Sequence, residues 1–446
     1  IIPLMKNEKT ERTPINQIEN HIGEEIKISG FVQTIRNQGK IKFLIIRDVS
    51  GTIQTVASDL PKEETDLIDS LSMESVVEII GTAKKEAQAP GGVEISIRKI
   101  SVLSEAETPL PIPVVNKAGE EVDPQKRLDW RWLDLRKPSN TLIFKVWTLM
   151  EQSFREYLIA NNFIEIHSPK LMSSPSETGA ELFEVKYFDR KAYLAQSPQF
   201  YKQMAMASGF EKVFEVGPVF RADPSFTSRH ATEFTGYDLE FSYIESHQDV
   251  MNLEQNLIRY IIEKIKEKYG EDIKKYFNRE LTIPEIPFPQ ITMEEAKEIL
   301  KKLKVPSEKE GDFSPEEERA VSDYIKKEEN HEFVFVTEYP ADARPFYHMR
   351  LDDNPKLTKS FDLLWDGLEI TTGAQREHRY DILVKQAKEK GMSLEPIQFY
   401  LNFFRYGCPP HGGLGVGPAR MMMKMLNLAN IREATYLYRG VKRLEP

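Results

Sequence analysis

Residues 220–240 read FRADPSFTSRHATEFTGYDLE. The stretch sets Arg221, Arg229 and His230, with the acids Asp223, Glu233, Asp238 and Glu240, around an apolar rhythm of β type. FEVGPV precedes it and FSYI follows it, and both read as strands that pair. A charged hairpin between buried strands suggests a polyanion held against a sheet. Its acids are placed to read a bound amine or base.

The chain has 446 residues, enough for two or three domains and a large core. No apolar run is long enough to predict a membrane span. The opening residues, IIPLMKNEKTERTP, are too polar for a secretory signal. Cys408 is the single cysteine, which excludes an internal disulfide and any cysteine-based zinc site. A reducing cytoplasm is therefore expected. The net charge of −10 argues against a broad basic field for non-specific nucleic-acid binding. It leaves room for a specific RNA partner read through local patches.

Residues 16–105 look all-β. EEIKISGFVQTI, KIKFLIIRDVSG, TIQTVAS, SVVEIIGTAKK and GVEISIRKISVLS alternate, with glycine or asparagine turns between several of them. This spacing predicts a small closed barrel over 1–105. The sharper reading is an OB-fold for single-stranded nucleic acid, offering Phe31, Gln33, Arg36, Lys42, Phe43 and Arg47 for stacking and phosphate contact. Residues 106–138 begin proline-rich and turn polar, as a linker does. From 139 to 446 the pattern mixes helices and strands. Helices are expected over 141–160, 246–270, 293–303 and 314–328, and in the closing PARMMMKMLNL. Strands outnumber crossover helices, so most neighbours must pair antiparallel, which makes the class α+β. The helical stretch 285–330 reads as an insertion.

No GxxxxGK[ST] occurs. GGLGVGPAR, ending at Arg420, reads as a strand whose backbone lies close to a ligand, then a helix starting near Pro418. The plainer reading is a glycine-rich edge strand. AQSPQFYKQ puts Gln199 and Lys202 one helical turn apart, and SETGAELF puts Glu177 in a loop before a strand. SFDLLWDGLEITTGAQREHR places Asp362 and Glu369 on a strand, followed by Thr372, Arg376 and His378. Any one of these alone reads as a solvated surface feature.

Taken together, these stretches resemble a known family. Residues 220–240 resemble motif 2 of the class II aminoacyl-tRNA synthetases, GGLGVGPAR resembles motif 3, and FIEIHSPKL with Pro169 resembles motif 1. From the barrel to the C-terminus the chain resembles the aspartyl-tRNA synthetases of archaeal and eukaryotic type. The resemblance implies an OB-fold anticodon-binding domain, then a class II catalytic domain built on an antiparallel sheet flanked by helices. It implies activation of L-aspartate with ATP and transfer to the 3′ end of tRNA(Asp), by a cytoplasmic homodimer joined through motif 1.

By the same resemblance, Arg221 and Arg420 are the catalytic arginines. Arg221 grips the α-phosphate and the aspartate carboxylate, and Arg229 and His230 hold the β- and γ-phosphates. Phe234 and Arg420 sandwich the adenine, with Asp223 and Gly417 also at the nucleotide. Glu369 and Thr372 would hold Mg2+, with Thr372 keeping the hydroxyl of the family's usual serine. Glu177 and Asp238 would bind the α-ammonium. Gln199, Lys202, Thr372 and Arg376 would complete the aspartate pocket, with Lys202 and Arg376 as its two cations. The asparagine enzymes are apolar at the position of Lys202. An amide facing a fixed buried cation costs several kcal/mol, roughly 10²–10⁴-fold in selectivity. Phe31, Gln33, Arg36, Phe43 and Pro90 would meet the anticodon. Enzymes that reject tRNA(Asn) carry Trp near Gln33 and Lys near Pro90. Pro90 resembles the relaxed enzymes, while Gln33 matches neither pattern.

The chain departs from the family at Ala419 and Asp223, both usually Glu, and at Ala374, usually Gly. It also ends in YLYRGVKRLEP where FPRDxxRL is usual. An inhibitor-tolerant duplicate, or a paralogue forming an amide such as asparagine without tRNA, is the alternative reading. Known paralogues of that second kind lack the barrel. A non-enzymatic RNA-binding protein is opposed by the surviving arginines.

Overall fold

Alternating isoleucines and valines close the N-terminal strands into a barrel. In the computed structural model, which describes residues 12–39, 41–115, 122–174, 182–224, 227–307, 309 and 311–446, these are β1 (Glu25–Gln38), β2 (Ile41–Asp48), β3 (Gly51–Ala57), β4 (Val76–Lys85) and β5 (Val93–Ser104). They close in the order β1-β2-β3-β5-β4. Ile26, Ile28 and Val32, then Leu44 and Ile46, then Val77 and Ile79, then Ile95 and Ile97 point inward at even spacing. Helix α1 (Lys62–Ser70) adds Ile68 to this core. The barrel lies in the first of two compact units, Ile1–Thr141 and Leu142–Pro446.

A bulge interrupts the β1–β2 register between Val32 and Thr34, which sets Gln33 out of the ladder. Two of the expected basic contacts on the barrel face are committed elsewhere. Arg47 is buried and donates to both carboxylate oxygens of Glu74, at 3.0 and 2.7 Å. Lys42 is buried against Asp69. The Phe31 ring lies 4.2 Å from the Arg136 guanidinium and 5.4 Å from that of Arg47. Arg36 is exposed, Phe43 is half-buried, and Pro90 is exposed in the turn between β4 and β5. Where it is described, the expected linker is folded. Helices α2 (Pro124–Asp129) and α3 (Arg131–Asp134) surround Asp134, whose buried carboxylate pairs with Arg127, Arg131 and Lys137. Burial opposes that charge, yet Arg127 and Lys137 hold the carboxyl below its usual range.

The second unit is built on β6 (Ile164–Glu165), β10 (Lys212–Phe220), β11 (Glu233–Ser242), β12 (Gln290–Thr292), β13 (Phe333–Thr337), β14 (Ser360–Trp365), β15 (Leu368–Arg376) and β16 (His411–Val416). Strands β7 (Leu171–Met172), β8 (Glu184–Tyr187) and β9 (Arg190–Leu194) form a small separate sheet. The large sheet runs β12-β13-β14-β15-β16-β11-β10-β6. Its inner pairs are antiparallel, as expected, but both edge pairs are parallel. The sheet is therefore mixed. Its helices are α4 (Pro138–Ala160), α5 (Gln199–Ala207), α6 (His247–Phe277), α7 (Met293–Leu303), α8 (Pro315–Glu329), α9 (Tyr380–Glu389), α10 (Gln398–Leu401), α11 (Pro418–Met425) and α12 (Ile431–Ala434). Phe154 of α4 packs on Phe214 and Tyr237 of the sheet.

Residues 285–330 supply β12, α7 and α8. Each of these two helices opens on a capping box, Thr292 with Glu295 and Ser314 with Glu317. The SFDLLWDGLEITTG stretch is a hairpin, not one strand. Asp366 and Gly367, at φ 45° and 76°, form its two-residue turn. Asp362 and Glu369 thus sit on neighbouring strands. Among the described residues no helix is long and apolar enough to cross a membrane.

Helix α6 buries Glu254 against the sheet. Neither carboxyl oxygen makes a hydrogen bond of good geometry, and Thr371 is its polar neighbour. Burial pushes this carboxyl up to about 8. The folded chain therefore keeps a proton that the unfolded chain releases above its usual 4.5. The associated stability is complete below that pH and is lost as pH rises through about 8. Glu254→Gln should leave the urea midpoint unchanged near pH 5 and raise it near pH 9. Parallel midpoint-against-pH curves for the two proteins would refute this.

Candidate active site

The β10–β11 hairpin positions most of the site. Val219 faces Phe234, Glu215 faces Asp238 and Val213 faces Glu240 in an unbroken antiparallel register. β16 lies on the other side of β11, with Gly415 opposite Asp238 and Gly413 opposite Glu240. Gly413 is required there. A Cβ at that position would stand 2.1 Å from the Leu239 carbonyl oxygen and 2.3 Å from Oε2 of Glu240. The glycine-rich strand is thus central, and its missing side chains make room for buried acids and an open floor.

A cavity of about 280 Å³ opens over β11, β15 and β16. It brings together Gln199, Arg221, Asp223, Arg229, His230, Phe234, Asp238, Glu369, Thr372, Arg376, Gly417 and Arg420, which the sequence singles out from four separate stretches. Glu177 lies outside the described residues. Lys202 is placed differently, in a fully buried position behind the cavity wall. Its ammonium donates to Asp238 at 2.8 Å and to the carbonyl oxygens of Leu414 and Leu239 at 3.1 and 3.3 Å. Oε2 of Glu240 stands 3.5 Å away.

Glu240 also carries Arg376, whose Nε donates to it at 3.0 Å. The rest of that guanidinium is fixed by Gln199 at 3.2 Å, the Gly413 carbonyl at 3.0 Å and Nε2 of His348 at 3.0 Å. Burial penalises the Glu240 charge, but Arg376 and Lys202 outweigh it and hold the carboxyl below its usual range. Because a guanidinium only donates, His348 accepts through Nε2 and carries its proton on Nδ1. Burial, with Arg376 next, drives His348 well below its usual value, so it is neutral.

The other end of the cavity is a ring of arginines around acids. The Arg221 guanidinium lies 5.6 Å from the centre of the Phe234 ring. Arg420 donates to the Glu369 carbonyl at 2.9 Å, and its carboxylate lies 3.3 Å away. Arg229 donates to Glu318 of α8 at 2.6 Å, and Glu318 accepts the Glu369 backbone N–H at 3.1 Å. Burial raises the Glu318 carboxyl, with Arg229 opposing. Burial, with Arg420 and Arg229 beside it, pushes His230 down to about 4. The imidazole is therefore a neutral hydrogen-bonding group here, not a third cation. On β15 the Thr372 hydroxyl donates to Glu369 at 3.3 Å. Asp362 pairs with Arg344 at 2.6 Å.

Sequence reasoning missed Arg344, Tyr347, His348 and Tyr438 in the wall, and Glu318 behind Arg229. ARPFYHM follows a buried strand and holds a cation beside Pro345, which was a usable signal for Arg344. Glu318 sits in a run of acids that reads as a solvated helix face, and nothing in the sequence marks it.

Residues 123–439 match the family described as tRNA synthetases class II (D, K and N), and residues 26–103 match the OB-fold nucleic acid binding domain. The aspartate–tRNA(Asp/Asn) ligase of Methanopyrus kandleri is 43% identical over 426 residues, covering 95% of this chain and 96% of that protein. The aspartate–tRNA(Asp) ligase of Pyrococcus abyssi is also 43% identical, covering 95% of this chain and 97% of that protein. Among solved structures, asparaginyl-tRNA synthetase from Pyrococcus horikoshii complexed with asparaginyl-adenylate aligns at a TM-score of 0.90 and 32% identity, covering 98% of this chain and 100% of that chain. Aspartyl tRNA synthetase from Entamoeba histolytica aligns at 0.88 and 32%, covering 100% of this chain and 96% of that chain. With one cavity uniting the arginines of two motifs on a central antiparallel strand set, and with these relatives spanning nearly its whole length, the chain belongs to the class II tRNA synthetases, in the group of the aspartate–tRNA ligases.

Proposed function

We propose that the protein joins L-aspartate to tRNA(Asp) in two steps in the cytoplasm, and that it also charges tRNA(Asn). The observation that carries the first part is the convergence of Arg221, Arg229, Arg376 and Arg420 on one cavity with Asp238 and Glu369. In the first step the α-carboxylate of aspartate attacks the α-phosphorus of ATP and pyrophosphate leaves. The attacking group is already ionised, so the site needs alignment and charge neutralisation, not a base. Arg221 holds the α-phosphate, and Arg229 with neutral His230 takes the outer phosphates. Phe234 and Arg420 enclose the adenine, with Asp223 and Gly417 at its edge. Arg376, steadied by Gln199, meets the side-chain carboxylate. Asp238 meets the α-ammonium, and Lys202 contributes its charge from behind. The 3′-terminal hydroxyl of tRNA then attacks the adenylate.

Members of this class use ATP with Mg2+. Glu369 and Thr372 present hard oxygens 3.3 Å apart on the cavity side of β15. Among the described residues no cluster of three or more His, Cys, Asp or Glu forms a protein-only cage. That partial donor set fits an ion that keeps waters and phosphate oxygens. When bound, it supplies charge neutralisation on the leaving pyrophosphate.

Several features support the remaining assignments. The barrel argues for a tRNA substrate over a tRNA-independent amide ligase. A homodimer is supported by β6, an edge strand of the sheet, and by exposed Ile159, Ile164 and Leu171 around motif 1. Phe31, Gln33, Arg36, Phe43 and Pro90 are the proposed anticodon contacts. The lack of a lysine at exposed Pro90 favours the relaxed tRNA choice.

Arg376→Ala should abolish aspartate-dependent ATP–pyrophosphate exchange. Exchange retained at ordinary aspartate concentration in a folded variant would refute the assigned role. Pro90→Lys should lower charging of purified tRNA(Asn) more than tRNA(Asp), and equal losses would make Pro90 a turn residue only. Ile164→Asp should yield monomers in sedimentation; an unchanged dimer would remove motif 1 from the interface.

A further inference from the structure

We infer that Tyr438 and Gly440 act together as a positioning pair for the loop that carries Arg229 and His230. Residues 227–232 belong to the connection between β10 and β11, and the final segment of the chain runs beside them. The backbone N–H of Ile431 donates to the Ser228 carbonyl at 2.8 Å, and that of Thr232 donates to the Arg439 carbonyl at 3.0 Å. Glu233 and Arg439 form an isolated antiparallel bridge. Between these backbone contacts stands one side-chain contact. The Tyr438 hydroxyl donates to the His230 carbonyl at 3.2 Å. The Tyr438 ring is 8% exposed, lines the cavity with Ile431, Ala419 and Arg420, and has the Arg432 guanidinium 5.1 Å from its centre.

The seat of that ring depends on position 440. A Cβ on Gly440 would lie 2.5 Å from the Tyr438 oxygen, 2.6 Å from Cε1 and 2.8 Å from Cζ. All three atoms belong to the distal half of the ring, the part that reaches the His230 carbonyl and the part that a side chain at 440 would crowd. Aligned on Arg439 and on Arg443-Leu444, the proline and aspartate of the usual FPRDxxRL ending fall on Tyr438 and Gly440. The two departures are therefore one device. A ring that reaches the loop requires a residue without a side chain two positions later. The loop is thus held at the His230 carbonyl by the protein's own C-terminal segment. Arg229 is held at its tip by Glu318, at 2.6 Å.

This inference rests on the reading of Arg229 and His230 as ligands of the outer phosphates. Tyr438→Phe keeps the ring and removes only the hydroxyl. In aspartate-dependent pyrophosphate exchange it should raise the KM for ATP about fivefold, while the KM for aspartate and kcat stay within about twofold. Gly440→Ala should show the same split. In a Tyr438→Ala background, Gly440→Ala should add nothing, because the ring it displaces is gone. The pair is refuted by an unchanged KM for ATP in Tyr438→Phe, by equal losses for both substrates, or by a full additional effect of Gly440→Ala in the Tyr438→Ala background. Arg229→Ala separates the two levels. If it leaves the KM for ATP unchanged, the phosphate assignment falls and the pair falls with it. If it raises that KM while Tyr438→Phe does not, the pair alone fails.

Discussion

A single buried carboxylate organises the centre of the catalytic unit. Glu240 is fully buried on β11, with Arg376 from β15 on one oxygen and Lys202 from α5 near the other. Without it two cations would stand in the protein interior with only Asp238 to offset them. Removing one partner of such a group costs about 3–5 kcal/mol, because the others stay charged and lose their solvation. The network also fixes geometry. Arg376 is fastened on several sides by the protein itself, so its guanidinium is already aimed for a carboxylate in the cavity. Gly413 belongs to the same constraint, since any side chain there would occupy the space of the Glu240 carboxylate.

The arginine-rich end of the cavity is organised on a different principle. Its arginines are matched to acids from elements far apart in the chain, Arg229 to Glu318 on α8 and Arg420 to Glu369 on β15. The stretch that reads as an insertion thus reaches the site. Burial raises Glu318 while four arginines hold Glu369 down, so two neighbouring acids respond to their surroundings in opposite senses. An anion entering here would exchange partners with groups that are already paired, so the cleft carries less bare positive charge than its arginines suggest.

Much of this was legible from local pattern. The alternation of Ile26, Ile28 and Val32 gave the barrel, and the hairpin at 220–240 gave the strand pair and its cations. The glycines of GGLGVG announced a backbone with something close above it. Other features were not legible, for definite reasons. The Asp366-Gly367 turn was visible as a hairpin dipeptide, but the apolar run around it reads as one buried strand. Lys202 looks like a ligand-facing cation because helical spacing gives its face and not its depth. The partnership of Arg229 with Glu318 spans 89 positions, and no local period encodes that. His230 looks like a cation until its neighbours are known, and only the fold supplies Arg420 and Arg229 beside it.

The barrel carries a consequence of its own. Arg47 and Lys42, which by composition would grip a phosphate backbone, are neutralised by the buried Glu74 and by Asp69 of α1. Arg136 is shared between Glu74 and the face of Phe31. With Arg47 and Lys42 already paired, fewer phosphates can be neutralised here, and fewer condensed counterions would leave a nucleic acid on docking. A nucleic acid seated on this face would then be held more by ring faces and base edges, and its docking would vary less with ionic strength than the basic residues of the strands suggest.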